Sequence, residues 1–245
     1  MKWRLFLLLL FLIFWLSTCS ENSVEQIPVQ VPAHVKVPKE MVYIPEGEFT
    51  YGHAEDPKTA LGRKVFLKAY LIDRYEMQRG EYKKFKTDFE ITPGKEKFPV
   101  TWVPFAEAKS YCEWAGKRLP TEREWEKAAR GPAGGKWPWG RYQPHPNNGF
   151  SGFLPEPVDQ RQEWISPYGV YGMGHNVWEW MADDWGYNGM PGTEKGLYKV
   201  IRGGLYQSHL KIDFSHTWAR NYMEPTARYN FIGFRCVQGV ESDSD

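Results

Sequence analysis

The hydrophobic pattern opens with one unbroken apolar run, Leu5 to Leu16, behind Lys2 and Arg4. A span of about 20 apolar residues is needed to cross a bilayer, so this shorter run has the layout of an export signal. A short uncleaved anchor is the other reading. From Ser20 to Lys39 no helical period exists: Pro28, Pro32 and Pro38 punctuate valines and polar residues. That composition predicts an extended tether. Because Val29, Val31 and Val35 alternate with polar residues or Pro, the alternative is an edge strand laid along a domain.

Beyond residue 40 the pattern changes to short strands. Residues 41–45 (MVYIP), 48–51 (EFTY) and 65–73 (VFLKAYLID) alternate or run apolar between Gly and Pro, as strands do. Two helices follow. Pro104 stands at a first-turn position, with Phe105, Ala108, Cys112 and Ala115 at helical spacing and Gly116 as the stop. Thr121 and Glu124 form a capping-box pair ahead of Trp125, Ala128 and Ala129, with a stop at Gly131-Pro132. Residues 134–237 are rich in Gly, Asn, Pro and Trp with little periodicity, which predicts loops held by tryptophans and short strands such as YKVIRGG and IGFRCV. The pattern gives a single α+β domain of low regular content, with neither linker nor internal repeat, before an acidic tail at 240–245.

Composition changes this picture in two respects. Lys and Arg total 31 against 30 Asp and Glu, so no net field favours a nucleic-acid backbone, and nucleic acid is excluded as a partner. The 12 Trp, 14 Tyr and 14 Phe in a chain of this length are enough for one well-buried core.

Several motifs carry a resemblance. Residues 116–122 (GKRLPTE), 124–126 (EWE), 129–131 (ARG), 176–180 (NVWEW), 202–204 (RGG) and 233–236 (GFRC) occur in one order. Together with MVYIPEGEF and LIDRYEMQRGEY upstream, they resemble the formylglycine-generating enzyme, or sulfatase-modifying factor, family over about residues 40–239. The resemblance implies a C-type-lectin-like α+β fold. At the amino end, Leu16-Ser17-Thr18-Cys19 resembles a bacterial lipobox, which implies a signal peptide at 1–18, lipidation of Cys19, and a tether over 19–39. Ser20 after that cysteine resembles lipoproteins sent to the outer membrane, so the expected place is the cell envelope, facing the periplasm.

The family's founding chemistry is copper-dependent oxidation of a substrate cysteine, and it rests on two cysteines shortly after the Arg-Gly-Gly strand. Soft thiolates suit Cu(I). Here the matching positions fall near Ser208 and Asp213, and neither placement gives a cysteine. The founding activity and its copper are therefore not expected. Cys112 and Cys236 stand where the family has a structural disulfide. A structural calcium is implied at the loop before Asn176, with Glu179 as ligand, although Gly172 stands where an oxygen-bearing side chain is usual; Asn148 loosely matches a second calcium loop.

Two function classes remain. In the first, the loop recognises a peptide, glycan or envelope protein without catalysis, with Tyr206, His209, Phe214, His216, Trp218 and Arg220 as the recognition set, since aromatic and Arg residues are favoured at binding sites. In the second, His209, Asp213 and His216 hold Fe(II), Zn or Cu(II) in a repurposed oxidoreductase or modifying enzyme, as in the siderophore-maturation branch of the family. The first is the preferred expectation because no set replaces the missing thiols.

Overall fold

The structure, a computed structural model, describes residues 26–53, 62–140, 155–186, 196–204, 206–207 and 212–240, with 206–207 and 212–213 described in backbone only. The elements in chain order are β1 (Met41–Ile44), β2 (Gly47–Tyr51), β3 (Arg63–Leu67), β4 (Tyr70–Asp73), α1 (Arg79–Phe85), α2 (Phe105–Trp114) and α3 (Glu122–Arg130). Then come β5 (Trp178–Asp184), β6 (Lys199–Arg202), β7 (Tyr206–Gln207), β8 (Ile212–Asp213), β9 (Asn221–Met223), β10 (Ile232–Gly233) and β11 (Val237–Gly239).

Strand alternation decides which side chains meet. β4 lies between β1 and β11, antiparallel to both. Val42 opposite Ile72, and Ile44 opposite Tyr70, turn to one face, where α3 covers them with Trp125, Ala128 and Ala129. Met41, Tyr43 and Leu71 turn to the other face, where Val29, Val35 and Val37 cover them. Residues 26–39 carry no strand, and Ile27 N–H donates to the Pro167 carbonyl. From residue 26 the proline-spaced segment lies along the domain without strand pairing, as in the second of the two readings apart from the strand itself. Its valines would otherwise leave an apolar sheet face in water.

The run 65–73 divides between two sheets, because β3 pairs with β2 while β4 pairs with β1. The run 232–237 divides likewise: β10 lies parallel to β5 in a four-stranded sheet of order β10-β5-β6-β9, and β11 joins β4. Between this sheet and α1 and α2 lies a second core built from Tyr82, Tyr111, Trp180, Ile201 and Phe234. Cys112 of α2 and Cys236 form a disulfide, Cα atoms 5.7 Å apart, across that core.

Both helices keep the ends that local chemistry dictates. Pro104 caps α2, and Gly116 follows it at φ 71°. Thr121 Oγ1 accepts the Glu124 N–H while Glu124 returns a bond to the Thr121 N–H, so the capping box forms. α3 departs from an ordinary surface helix in one respect. Its polar residues Glu126, Lys127 and Arg130 are buried along with its apolar ones. Only Arg123 of the helix is exposed, and the buried polar groups tie loops to it. Lys127 Nζ donates to the carbonyls of Pro45 and Gly47, and burial lowers its pKa to about 8.

Candidate functional site

The loop after β6 is placed by glycine and by a buried ion network. Gly203 has φ 88°, and a Cβ on Gly204 would lie 2.2 Å from the Trp178 ring and 2.6 Å from Phe214 Cβ. No larger residue fits where the backbone passes this ring. The preceding Arg202 is fully buried: Nη2 donates to Glu126 Oε2 at 2.5 Å and to the Thr217 carbonyl at 2.9 Å, and Nη1 donates to the Trp218 carbonyl. Arg130 adds a second cation 3.2 Å from Glu126, and its Nε donates to Thr217 Oγ1 at 3.1 Å. Burial raises the Glu126 pKa, and the two arginines oppose that rise. The same carboxylate accepts the Gly52 N–H at 2.7 Å. The network thus joins the end of β2 to residues 217–218.

Above it four rings form a ladder. His53 stacks on Trp218 with centroids 4.0 Å apart, His216 stacks on the same indole at 4.9 Å, and Trp137 leans on His216 at 5.5 Å. Trp218 is buried and the other three are half-buried. Arg130 and Lys136 lie over the Trp218 ring at 5.4 and 6.0 Å, within reach of cation–π attraction. The ladder offers flat, partly wet aromatic area on a rigid support, which is the composition of a recognition surface.

The expected recognition residues separate here. His216 and Trp218 are together in the ladder, and Phe214 is half-buried with its ring 5.3 Å from Trp178. Arg220 turns inward: its Nη2 donates to Glu122 at 3.0 Å and its guanidinium covers the Trp185 ring at 4.5 Å. Its side chain is only 8% exposed, so it is a tie between loop and α3. Tyr206 pairs in register with Asp213 in the β7–β8 hairpin. Ser208, His209, Asn148 and Cys19 lie outside the described residues. Among the described residues no group of three His, Cys, Asp or Glu side chains is placed to hold a metal ion.

Glu179 is committed elsewhere. Both its oxygens accept from Arg235, at 2.7 and 2.8 Å, and Oε2 also accepts from Trp125 Nε1. The space beside Gly172 is filled by the Glu76 carboxyl, 2.6 Å from where a Cβ would stand. The calcium expectation counts the carbonyls of His175 and Val177 beside Glu179; in this structure the Glu179 carboxylate is used by Arg235 and Trp125. The Ser208 and Asp213 positions likewise lack the thiolates that suit Cu(I).

Sequence reasoning missed His53, Trp137 and Lys136. No local period marks them, since His53 reaches the ladder from one loop and the adjacent Lys136 and Trp137 from another. Arg130 was visible only as part of its motif.

Similarity to known proteins agrees with this architecture. The chain is 34% identical to the inactive C-alpha-formylglycine-generating enzyme 2 of Bos taurus over 162 residues, covering 60% of this chain and 52% of that one. It is 28% identical to the formylglycine-generating enzyme of Bos taurus, covering 82% and 75%. PvdO from Pseudomonas aeruginosa superposes with a TM-score of 0.66 at 25% identity, over 86% of this chain and all of PvdO. Other curated relatives are longer, and the chain spans 54% of one and 38% of another. Fold and motif order agree with the C-type-lectin-like architecture of formylglycine-generating enzymes. Residues 28–240 match the sulfatase-modifying factor enzyme 1-like domain, and the chain belongs to that family.

Proposed function

We propose that this protein is a lipid-anchored cell-envelope protein whose sulfatase-modifying-factor domain binds a protein or peptide partner and does not oxidise one. The observation that carries this reading is the assignment of the three cysteines. Cys112 and Cys236 are spent on a buried disulfide, and Cys19 stands in the lipobox-like sequence. None is left for a Cu(I) thiolate pair. The relatives include an inactive formylglycine-generating enzyme, so the fold persists without the founding activity. The ring ladder of Trp137, His216, Trp218 and His53, with Phe214 nearby along the chain, supplies the recognition face.

The test uses the full chain expressed in an envelope-bearing bacterium. A photo-crosslinking residue at Trp137 should trap one partner that Phe214→Ala abolishes, while the same probe at exposed Trp114 traps none. Labelled palmitate should enter the parent and not Cys19→Ala. Two results would overturn the reading: formylglycine in a cysteine-containing sulfatase peptide incubated with the protein, Cu(I) and oxygen, or stoichiometric redox metal that His216→Ala removes.

A further inference from the structure

A second concavity shares no residue with the ring ladder or the 205–220 loop. It has a volume of about 540 Å³ and opens between the residues before β1, the β4–α1 connection, α2, and the segment around Val158. That volume falls within the range of small-molecule sites, about 300–1,000 Å³.

Its wall is charged but internally balanced. Lys117 pairs with Asp73 at 2.6 Å, Lys97 with Asp159 at 2.5 Å, and Lys84 with Glu81 at 2.6 Å. Adjacent Lys39 and Glu40 add one charge of each sign. Glu76 at the floor is 1% exposed and accepts from Asn176 Nδ2 at 3.0 Å. Burial raises its pKa to about 8, with Arg235 opposing and Glu179 adding to the rise, so it carries a proton at neutral pH. A charged ligand would find no net charge of the opposite sign to neutralise.

The unmatched groups are neutral. Tyr111 is 5% exposed, yet its hydroxyl makes no hydrogen bond among the described residues. Burial, then the fields of Asp73 and Glu81, raises its pKa, and all three residues line the concavity. The Tyr75 hydroxyl and the Gln78 amide also line the space without a hydrogen-bond partner among the described residues. These hydroxyls and the amide face the concavity with their hydrogen-bonding capacity uncommitted to the described residues, so a ligand there can replace water on them. Hydroxyls, an amide and the spare N–H groups of Lys117 form a mixed donor and acceptor set, the complement of a ligand that carries both on every edge.

We propose that this pocket binds a neutral, hydroxyl-rich ligand of mono- or disaccharide size. The site is separate from the partner-binding face, so either can fail without the other. The test is titration calorimetry on the full chain in detergent, with glucose, maltose, N-acetylglucosamine and chitobiose as probes and glycylglycine and glutamate as zwitterionic controls. At least one saccharide should bind at about millimolar Kd. Tyr111→Phe and Gln78→Leu should each weaken it about tenfold, the scale of one hydrogen bond. Phe214→Ala should leave it unchanged. Tyr111→Phe should also keep the parent's thermal midpoint, because the hydroxyl has no hydrogen-bond partner among the described residues to lose. Saccharides that fail to bind at tens of millimolar, binding only by the zwitterions, or saccharide binding indifferent to both pocket variants would each overturn the proposal.

Discussion

Arg202 and Arg235 are both fully buried, both arrive in a short motif at the end of a strand, and both meet a glutamate from another motif, yet they hold different parts of the molecule. Arg235 uses its fork: Nε and Nη2 take both oxygens of Glu179, and the remaining hydrogens reach the carbonyls of Asp73 and Tyr171. Its partners lie at β4 and β5 and in the segment before Gly172, so it ties sheet to sheet. Arg202 takes a single oxygen of Glu126 and spends its other bonds on the loop carbonyls of residues 217 and 218, while its Nε donates to no group among the described residues. It holds a loop to a frame. The difference teaches where to look for function: the motifs that make the family legible build the frame, and the ring ladder and the charged pocket are surfaces which that frame holds up.

The largest test compares the two arginines directly. Arg235→Leu leaves Glu179 buried without a cation, and such a loss costs about 3–5 kcal/mol. Arg202→Leu should cost less, about 2–3 kcal/mol, because Arg130 stays 3.2 Å from Glu126 and shares its charge. Urea unfolding of both variants measures the gap, and equal losses would break the comparison.

The disulfide sharpens it next. Cys236 adjoins Arg235, and its bond to Cys112 closes a separation of 124 residues. Replacing both cysteines with alanine should cost about 2–5 kcal/mol. The weakening should be local first. Asp73 N–H bonds to the Cys236 carbonyl and Cys236 N–H to Asp73 Oδ2, so hydrogen exchange at these amides should rise before that at Thr217. A double variant as stable as the parent under oxidising conditions would count against the tie.

Glu76 supplies a pH test on the Arg235 side. Its folded pKa, about 8, exceeds its ordinary 4.5. The folded state therefore binds the extra proton between these values, and the stability that comes with it is full below about 4.5 and lost as pH rises through 8. Glu76→Gln cannot ionise. Its stability relative to the parent should improve from pH 5 to pH 9 by about 2–3 kcal/mol, below the ceiling that about 1.4 kcal/mol per pKa unit would set. Chemical unfolding at the two pH values measures this, and a constant difference would show Glu76 ionised throughout.

How much of this was readable beforehand depended on the range of the interaction. Pro104, Gly116 and the Thr121–Glu124 box are local chemistry, and the helices begin and end as those residues dictate. The run 65–73 read as one strand because its split is decided by β1 and β2, which offer separate sheets to its two halves. Arg220 read as a recognition residue because its neighbours are aromatic. Glu122, 98 residues away, turns it inward. The ladder needed His53 and Trp137 from other loops, and the pocket needed Tyr111 from a helix face otherwise devoted to the core. Neither has a signature in any one window of the sequence.

The smallest effect tests whether the two arginine networks are independent. α3 carries Glu126 and Arg130 beneath the ladder, and its first turn is fixed by the Thr121 cap. Thr121→Ala removes the oxygen that accepts the Glu124 N–H, for about 1 kcal/mol. The helix should still form, because Glu124 keeps its paired bonds to Arg118. If Arg202 and Arg235 serve separate regions, the loss should reach residues that lean on Glu126. Exchange should then quicken at the Gly52 and Thr217 amides while Asp73 and Cys236 keep the parent's protection. Equal quickening in both sets would mean that α3 supports the two networks together, and that frame and loop are one cooperative unit.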